Sequence, residues 1–151
     1  MAKKSQLAIN RDPEYLCPFF LAKLSRAVHE AQTDGYPIQV FEGYRSPQRQ
    51  DELFAQGRSR PGAIVTRAKS WQSLHQYGLA ADIAFMIDGK WSWEGAFDKL
   101  VPIFQRCGLE WYGTGDAGHY QLLKGMTVAE CEQITKRDGV LELWRIFQKG
   151  I

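Results

Sequence analysis

The sequence predicts an α+β fold, a small and mainly antiparallel sheet covered by helices. Three observations lead there. Stretches with helical and with strand periodicity alternate irregularly, and no βαβ unit repeats. The chain has 151 residues, which suits one domain of ordinary size and leaves no room for a second comparable core. Hydrophobic residues make up 44% and charged residues 24%, close to the soluble globular average, which sets aside wholesale disorder and low-complexity architectures. A single domain over residues 1–151 is therefore expected, with no appended module.

Asp12-Pro13 reads as a capped helix start, and Leu16, Phe19, Phe20, Leu24, Ala27, Val28 and Ala31 then recur at helical spacing until Gly35 and Pro37. Ile38 and Val40, extending toward Tyr44, fit a short strand. Ser46-Pro47 opens a second helix through Leu53 and Phe54 that ends near Gly57. Residues Leu79 to Met86 read as a strand, Glu94 to Cys107 as a helix closed by Gly108, and Leu109 to Tyr112 and His119 to Leu123 as two further short strands. Thr127-x-x-Glu130 is a capping box for a last helix that runs, interrupted near Gly139, toward Phe147.

Charge and composition narrow the function classes. A formal net charge of +2 is too small to announce nucleic-acid or membrane binding, so any field that matters is local. The strongest local field falls between Leu53 and Ala81, which contains Arg58, Arg60, Arg67 and Lys69 but no Asp or Glu. It leads directly to His75 and would draw anionic substrate there. The first ten residues lack the apolar core of a secretory signal, and no run of about 18 apolar residues occurs, so membrane insertion is not expected. Cys17, Cys107 and Cys131 are widely spaced and never form C-x-x-C, which points to buried free thiols.

Two of the three histidines keep unusual company. His29 sits inside the first helix as an ordinary surface or core-edge residue. His75 belongs to Ser73-Leu-His75-Gln-Tyr-Gly78-Leu-Ala80-Ala-Asp82, where a turn separates an imidazole from a carboxylate that begins a strand; His119 follows Asp116-Ala-Gly118 into another strand. Two imidazoles and one carboxylate form a nitrogen and oxygen donor set that leaves a zinc position open for water, as hydrolysis needs. Alternation puts Ala80, Asp82 and Ala84 on one face and Leu79, Ala81, Ile83 and Phe85 on the other. The first face is floored by alanines and has room for a metal and a peptide.

Hydrolysis also needs a proton acceptor that is not a ligand. Asp116, three residues before His119, is the best placed, with Glu110 as its competitor and a plain turn role as the bland reading. Arg45, at a strand–helix junction, could grip an oxyanion or a substrate carboxylate, or be a surface arginine paired with Glu42 or Asp51. Trp71, Trp93 and Trp111 read as core or edge aromatics before substrate platforms.

The pattern Ser-x-His-x-x-Gly-x-Ala-x-Asp at 73–82, with Gly43-Tyr-Arg45-Ser46 upstream and Asp-x-x-His at 116–119, resembles the zinc peptidases that include D-Ala-D-Ala carboxypeptidases and dipeptidases and phage L-alanyl-D-glutamate endopeptidases. The likeness runs over about residues 38–123 through Glu52–Gly57, Pro61–Thr66 and Gly108–Trp111, and is closest to the phage endolysins. It implies a hedgehog and D-Ala-D-Ala peptidase-like fold, and zinc held by His75, Asp82 and His119. It further implies Asp116 as catalytic base, Arg45 stabilising developing negative charge, and Ser73 orienting substrate. Aspartate rather than glutamate before the last histidine leans toward the phage branch. Trp71 stands where that branch commonly has glycine, and Gln76 where it commonly has asparagine.

The expected function is thus a zinc-dependent, bacteriolytic peptidase acting on bacterial peptidoglycan at the L-alanyl-D-glutamate bond. A monomer is expected, held in the host cytoplasm without a signal peptide and reaching the cell wall through a separate membrane lesion. A D-Ala-D-Ala carboxypeptidase, a non-catalytic zinc-bearing hedgehog-like binding module, and an iron oxygenase with its own two-histidine, one-carboxylate site are the competing classes.

Overall fold

In the computed structural model, which describes residues 7–149, one sheet carries the architecture. Its strands are β1 (Ile38–Glu42), β2 (Ala80–Ile87), β3 (Lys90–Ser92), β4 (Glu110–Trp111) and β5 (His119–Gln121). The order is β1-β2-β5-β4, with β3 pairing the far end of β2, and every pairing is antiparallel. The helices are α1 (Pro18–Thr33), α2 (Pro47–Ala55), α3 (Phe97–Arg106), α4 (Val128–Asp138) and α5 (Val140–Lys149). The predicted α+β class is the observed one. Among the described residues no helix is long and apolar enough to cross a membrane.

The two faces of the sheet have different fates. Ala81, Ile83 and Phe85 of β2 and Tyr120 of β5 are buried with Phe20, Leu24, Ala27 and Ala31 of α1, Leu100 and Phe104 of α3, and Leu143 and Phe147 of α5. The α1 residues recur every three or four positions, so one apolar stripe faces the sheet. Each large aliphatic side chain buried this way contributes roughly 1.5–3 kcal/mol. Phe104 stacks on Tyr120 with ring centroids 4.2 Å apart, locking α3 against β5. On the opposite face of β2, Asp82 opens onto the site, while Ala84 beside it is fully buried.

Several element boundaries depart from the sequence reading. The helix expected from Asp12-Pro13 is two pieces, a 3-10 turn over Pro13–Tyr15 and then α1, because Pro18 forces Cys17 out of helical geometry (ψ 125°). The helix expected from Glu94 begins at Phe97, since the Glu94 N–H bonds the Ser92 hydroxyl and ties residues 92–94 into a local turn. Strand β3 was not anticipated, although Asp88-Gly89 announces it: both residues have positive φ (52° and 77°), the signature of a type I′ hairpin. The break at Gly139 does divide the last helical region, into α4 and α5.

Candidate metal centre

The site is assembled at the junction of β2 and β5. Asp82 and His119 are direct partners in the antiparallel ladder, so their side chains rise from the same face of the sheet. His75 arrives from a 3-10 turn, Leu74–Tyr77, just before β2. The Ser73 hydroxyl accepts the His75 N–H and the Gln76 side chain accepts the Ser73 N–H, so a capping box fixes the turn. Gly78 then takes a left-handed conformation (φ 66°) that redirects the chain into β2; a Cβ there would lie 2.7 Å from the Tyr15 carbonyl oxygen. The turn needs this glycine.

The hydrogen bonds of the two imidazoles decide which nitrogen faces the site. His75 Nδ1 donates to the Gly43 carbonyl at 2.6 Å, which leaves Nε2 with a lone pair, 3.3 Å from Asp82 Oδ1. His119 Nε2 donates to Gln121 Oε1 at 2.8 Å, which leaves Nδ1 with a lone pair, also 3.3 Å from Asp82 Oδ1. Asp82 Oδ1 is buried and accepts no hydrogen bond. With both imidazoles neutral, three lone pairs converge on one point, an arrangement that is favourable only around a positive charge, either a metal ion or a proton on an imidazole nitrogen that faces Asp82.

The dimensions suit such an ion. The three donor atoms lie within 4.8 Å of one another. A tetrahedral zinc with bonds of about 2.0–2.1 Å separates neighbouring ligands by about 3.3–3.4 Å, which matches both histidine–aspartate distances. Burial works against the charge of Asp82, but His75 and His119 beside it hold its carboxyl well below the usual carboxylate range. Burial likewise lowers the basicity of His119, and Asp82 and Asp116 more than reverse this and raise its pKa.

Asp116 and Arg45 flank this core differently. Asp116 closes a 3-10 turn over Thr114–Asp116; its carboxylate is 54% exposed and lies 3.7 Å from His119 Nδ1. Crowding in the cleft and the charge of Asp82 raise its pKa above the ordinary aspartate value, which suits a proton acceptor. Glu110, the competing carboxylate, is committed elsewhere: it accepts the backbone N–H groups of Leu123 and Lys124 at 3.1–3.2 Å.

Arg45 is neither solvated nor paired with Asp51. Its guanidinium donates to Asp82 Oδ2 at 3.1 Å, to Glu42 Oε1 at 2.9 Å and to Gln50 Oε1 at 3.1 Å, while its Nε is buried without an acceptor. The Asp82 carboxylate is thus held by Arg45 through one oxygen and open toward the histidines through the other.

Sequence reasoning did not single out Gln50 or Arg49. Gln50 is fully buried; its Oε1 accepts from Arg45 and Gln76, and its amide donates to the Ala68 carbonyl at 2.7 Å, tying Arg45 to the basic loop. Arg49 secures Glu42, whose carboxyl burial would raise but whose two arginine partners hold below its usual value. Gln76 also donates to the Arg45 carbonyl, so the longer amide at this position has a structural use.

A cleft of ≈ 1110 Å³ opens over these groups; His75, Asp82, His119, Asp116, Arg45 and Ser73 all line it. Arg67 of the basic loop does so too, whereas Arg60 is paired with Glu52. His29 is exposed, and the three cysteines are buried and free, as expected. Trp71 and Trp111 are half-buried, and Trp71 adopts φ 66°, the left-handed region that explains a preference for glycine there. Trp93 packs against Phe41 and Phe97 and is 51% exposed on the cleft wall.

The model of the VanY D-alanyl-D-alanine carboxypeptidase family matches residues 14–112 of this chain. The chain belongs to the VanY family. The matched segment holds Arg45, Ser73, His75 and Asp82 and ends before Asp116 and His119, which the β2–β5 pairing delivers. Among curated proteins, the peptidoglycan L-alanyl-D-glutamate endopeptidase CwlK of Bacillus subtilis (strain 168) is 38% identical over 94 residues, 55% of this chain and 56% of CwlK. The chain thus matches a little over half the length of that relative. Among solved structures, the Serratia marcescens L-Ala D-Glu endopeptidase ChiX is 26% identical with a TM-score of 0.54, covering 73% of this chain and 82% of ChiX. A mutant of the vancomycin resistance D,D-pentapeptidase VanY, solved with Zn(II), shares the fold at 21% identity and a TM-score of 0.53, over 82% of this chain and 79% of that one.

Proposed function

We propose that this chain is a zinc-dependent peptidoglycan peptidase that hydrolyses a stem-peptide bond, the L-alanyl-D-glutamate bond. The observation that carries the reading is the convergence of His75 Nε2, Asp82 Oδ1 and His119 Nδ1 on the floor of the cleft, each with an unengaged lone pair. These three residues would hold the ion, which when bound supplies a Lewis acid and lowers the pKa of water to about 7.

The remaining steps belong to the protein. Gly43 and Gln121 fix the imidazole tautomers, so the metal-facing nitrogens are set before substrate arrives. Asp116 Oδ2 at the cleft rim accepts a proton from the attacking water and returns it to the leaving amine. Arg45 steadies Asp82 through Oδ2, and its positive charge beside the cleft favours the negative charge that develops on the carbonyl oxygen. Ser73 lines the cleft while capping the His75 turn, and its part in orienting substrate runs through that turn.

Two relatives named as L-alanyl-D-glutamate endopeptidases support the choice of bond; the family's carboxypeptidase description supports the second reading, removal of a terminal D-alanine. A phage lytic role belongs to the same proposal and is supported by the aspartate at position 116. Mass spectrometry of peptidoglycan digested with and without a chelator tests the reading. New N-terminal D-glutamate that disappears with the chelator is the expected result. Released D-alanine would shift the activity to the second reading, and cleavage indifferent to the chelator would contradict both.

A further inference from the structure

We propose that the aromatic corner formed by Phe41, Trp91 and Trp93 is a subsite for an N-acetylated amino sugar, the muramyl residue from which the stem peptide hangs. The inference rests on the L-alanyl-D-glutamate reading, because only a bond so near the start of the stem keeps a sugar within reach of this corner.

Phe41 and Trp93 line the same cleft as the metal centre. Trp93 lies nearly parallel to Phe97 (interplanar 7°, centroids 6.1 Å apart), and Phe41 meets it edge-on at 77° and 5.0 Å. Trp91 meets Phe41 at 86° and 5.2 Å, and the Arg11 guanidinium sits over both rings, 5.3 Å from Phe41 and 4.9 Å from Trp91. The result is a set of aromatic surfaces at right angles, braced from behind by Phe97 and half open to solvent at Trp93. A single exposed tryptophan means little; one continuous with a catalytic cleft extends the cleft.

Topology places this corner within reach of the metal centre. Trp91 pairs with Met86, so it rises from the face of the sheet that carries Asp82 and Ala84, four residues or about 13 Å along β2 from Asp82. Phe41 is nearer, in the bulge of β1 beside Glu42, the cross-strand partner of Asp82. Between a scissile L-alanyl carbonyl and the sugar ring stand one alanyl and one lactyl unit, a span of about 7 Å when extended, which carries the sugar to the Phe41 and Trp93 side of the corner, with Trp91 as the wall behind Phe41.

Charge agrees. The aromatic corner contributes no carboxylate, and a muramyl residue whose lactyl group is already an amide is uncharged, with C–H faces and an acetyl methyl suited to aromatic rings. The carboxylates of the stem lie on the D-glutamyl side of the bond, and the cleft offers Arg67 of the basic loop for them.

The test compares the zinc-loaded protein on a muramyl-bearing stem peptide and on the same peptide without sugar, read as the ratio of the two kcat/KM values. The wild-type ratio is expected at about tenfold or more, collapsing toward one in Trp93→Ala and largely kept in Trp93→Phe, as one aromatic stacking contact predicts. A ratio unmoved by Trp93→Ala, in a variant with unchanged melting temperature, overturns the proposal. If the wild type cleaves neither substrate, the reaction assigned above fails, and the subsite is decided by titrating labelled protein with the peptide-free GlcNAc-MurNAc disaccharide. Saturable shifts of the Trp93 indole N–H signal support it, and their absence overturns it.

Discussion

Two polar clusters adjoin at Asp82 and are built on opposite principles. In the first, Glu42, Arg45, Arg49 and Gln50 satisfy one another almost completely: the Glu42 carboxylate receives both arginines and Gln50 joins Arg45 to the basic loop. In the second, His75, Asp82 and His119 spend their outer hydrogen bonds on Gly43, Arg45 and Gln121 and turn their inner atoms toward each other with nothing between. The closed cluster holds a shape; the open one is arranged to hold an ion. Arg45 bridges them through the two oxygens' worth of charge on Glu42 and Asp82. Rigidity on one side is what keeps like lone pairs facing one another on the other.

The sharpest way to break the contrast is to remove a donor from the open cluster. His119→Ala should abolish stoichiometric zinc uptake in elemental analysis and bring hydrolysis to the assay background, while a variant that still takes up one zinc per chain would refute the donor set. Asp116→Ala comes next. It should keep its zinc and lose about 10²–10⁴-fold in kcat, the usual worth of a positioned proton acceptor; equal loss of metal and activity would make Asp116 a ligand instead.

The closed cluster should answer in stability before chemistry. Glu42→Gln leaves two buried arginines without their carboxylate and should cost about 3 kcal/mol in denaturant unfolding. The pH dependence follows from the direction of its shift. Because Arg45 and Arg49 hold the folded carboxyl below its ordinary value, its contribution is complete above about pH 4.3 and is lost as pH falls through the lower folded value. The stability gap between wild type and Glu42→Gln should therefore be constant near neutrality and close only in acid; a gap that widens in acid would contradict the pairing.

The open cluster was far more legible in the sequence than the closed one. Histidine and aspartate are rare enough, and strand alternation regular enough, for His75, Asp82 and His119 to declare one face and one chemistry. Gln50 offered no such signal: a glutamine in the first turns of a helix reads as solvated, and only the loop that returns 18 residues later buries it. Arg45 was visible as a charge at a strand end, but its grip on Asp82 depends on a contact 37 residues away. The helix breaks at Pro18 and Ser92 and the hairpin at Asp88-Gly89 were local and readable; stronger helical periodicity around them masked the first two.

X-ray absorption spectroscopy on the zinc-loaded protein reaches the central claim most directly. Two imidazole nitrogens and a carboxylate oxygen at about 2.0–2.1 Å, with no sulfur in the coordination sphere, is the spectrum expected of His75, Asp82 and His119. A sulfur scatterer near 2.3 Å, or fewer than two imidazoles, would show that the ion sits elsewhere.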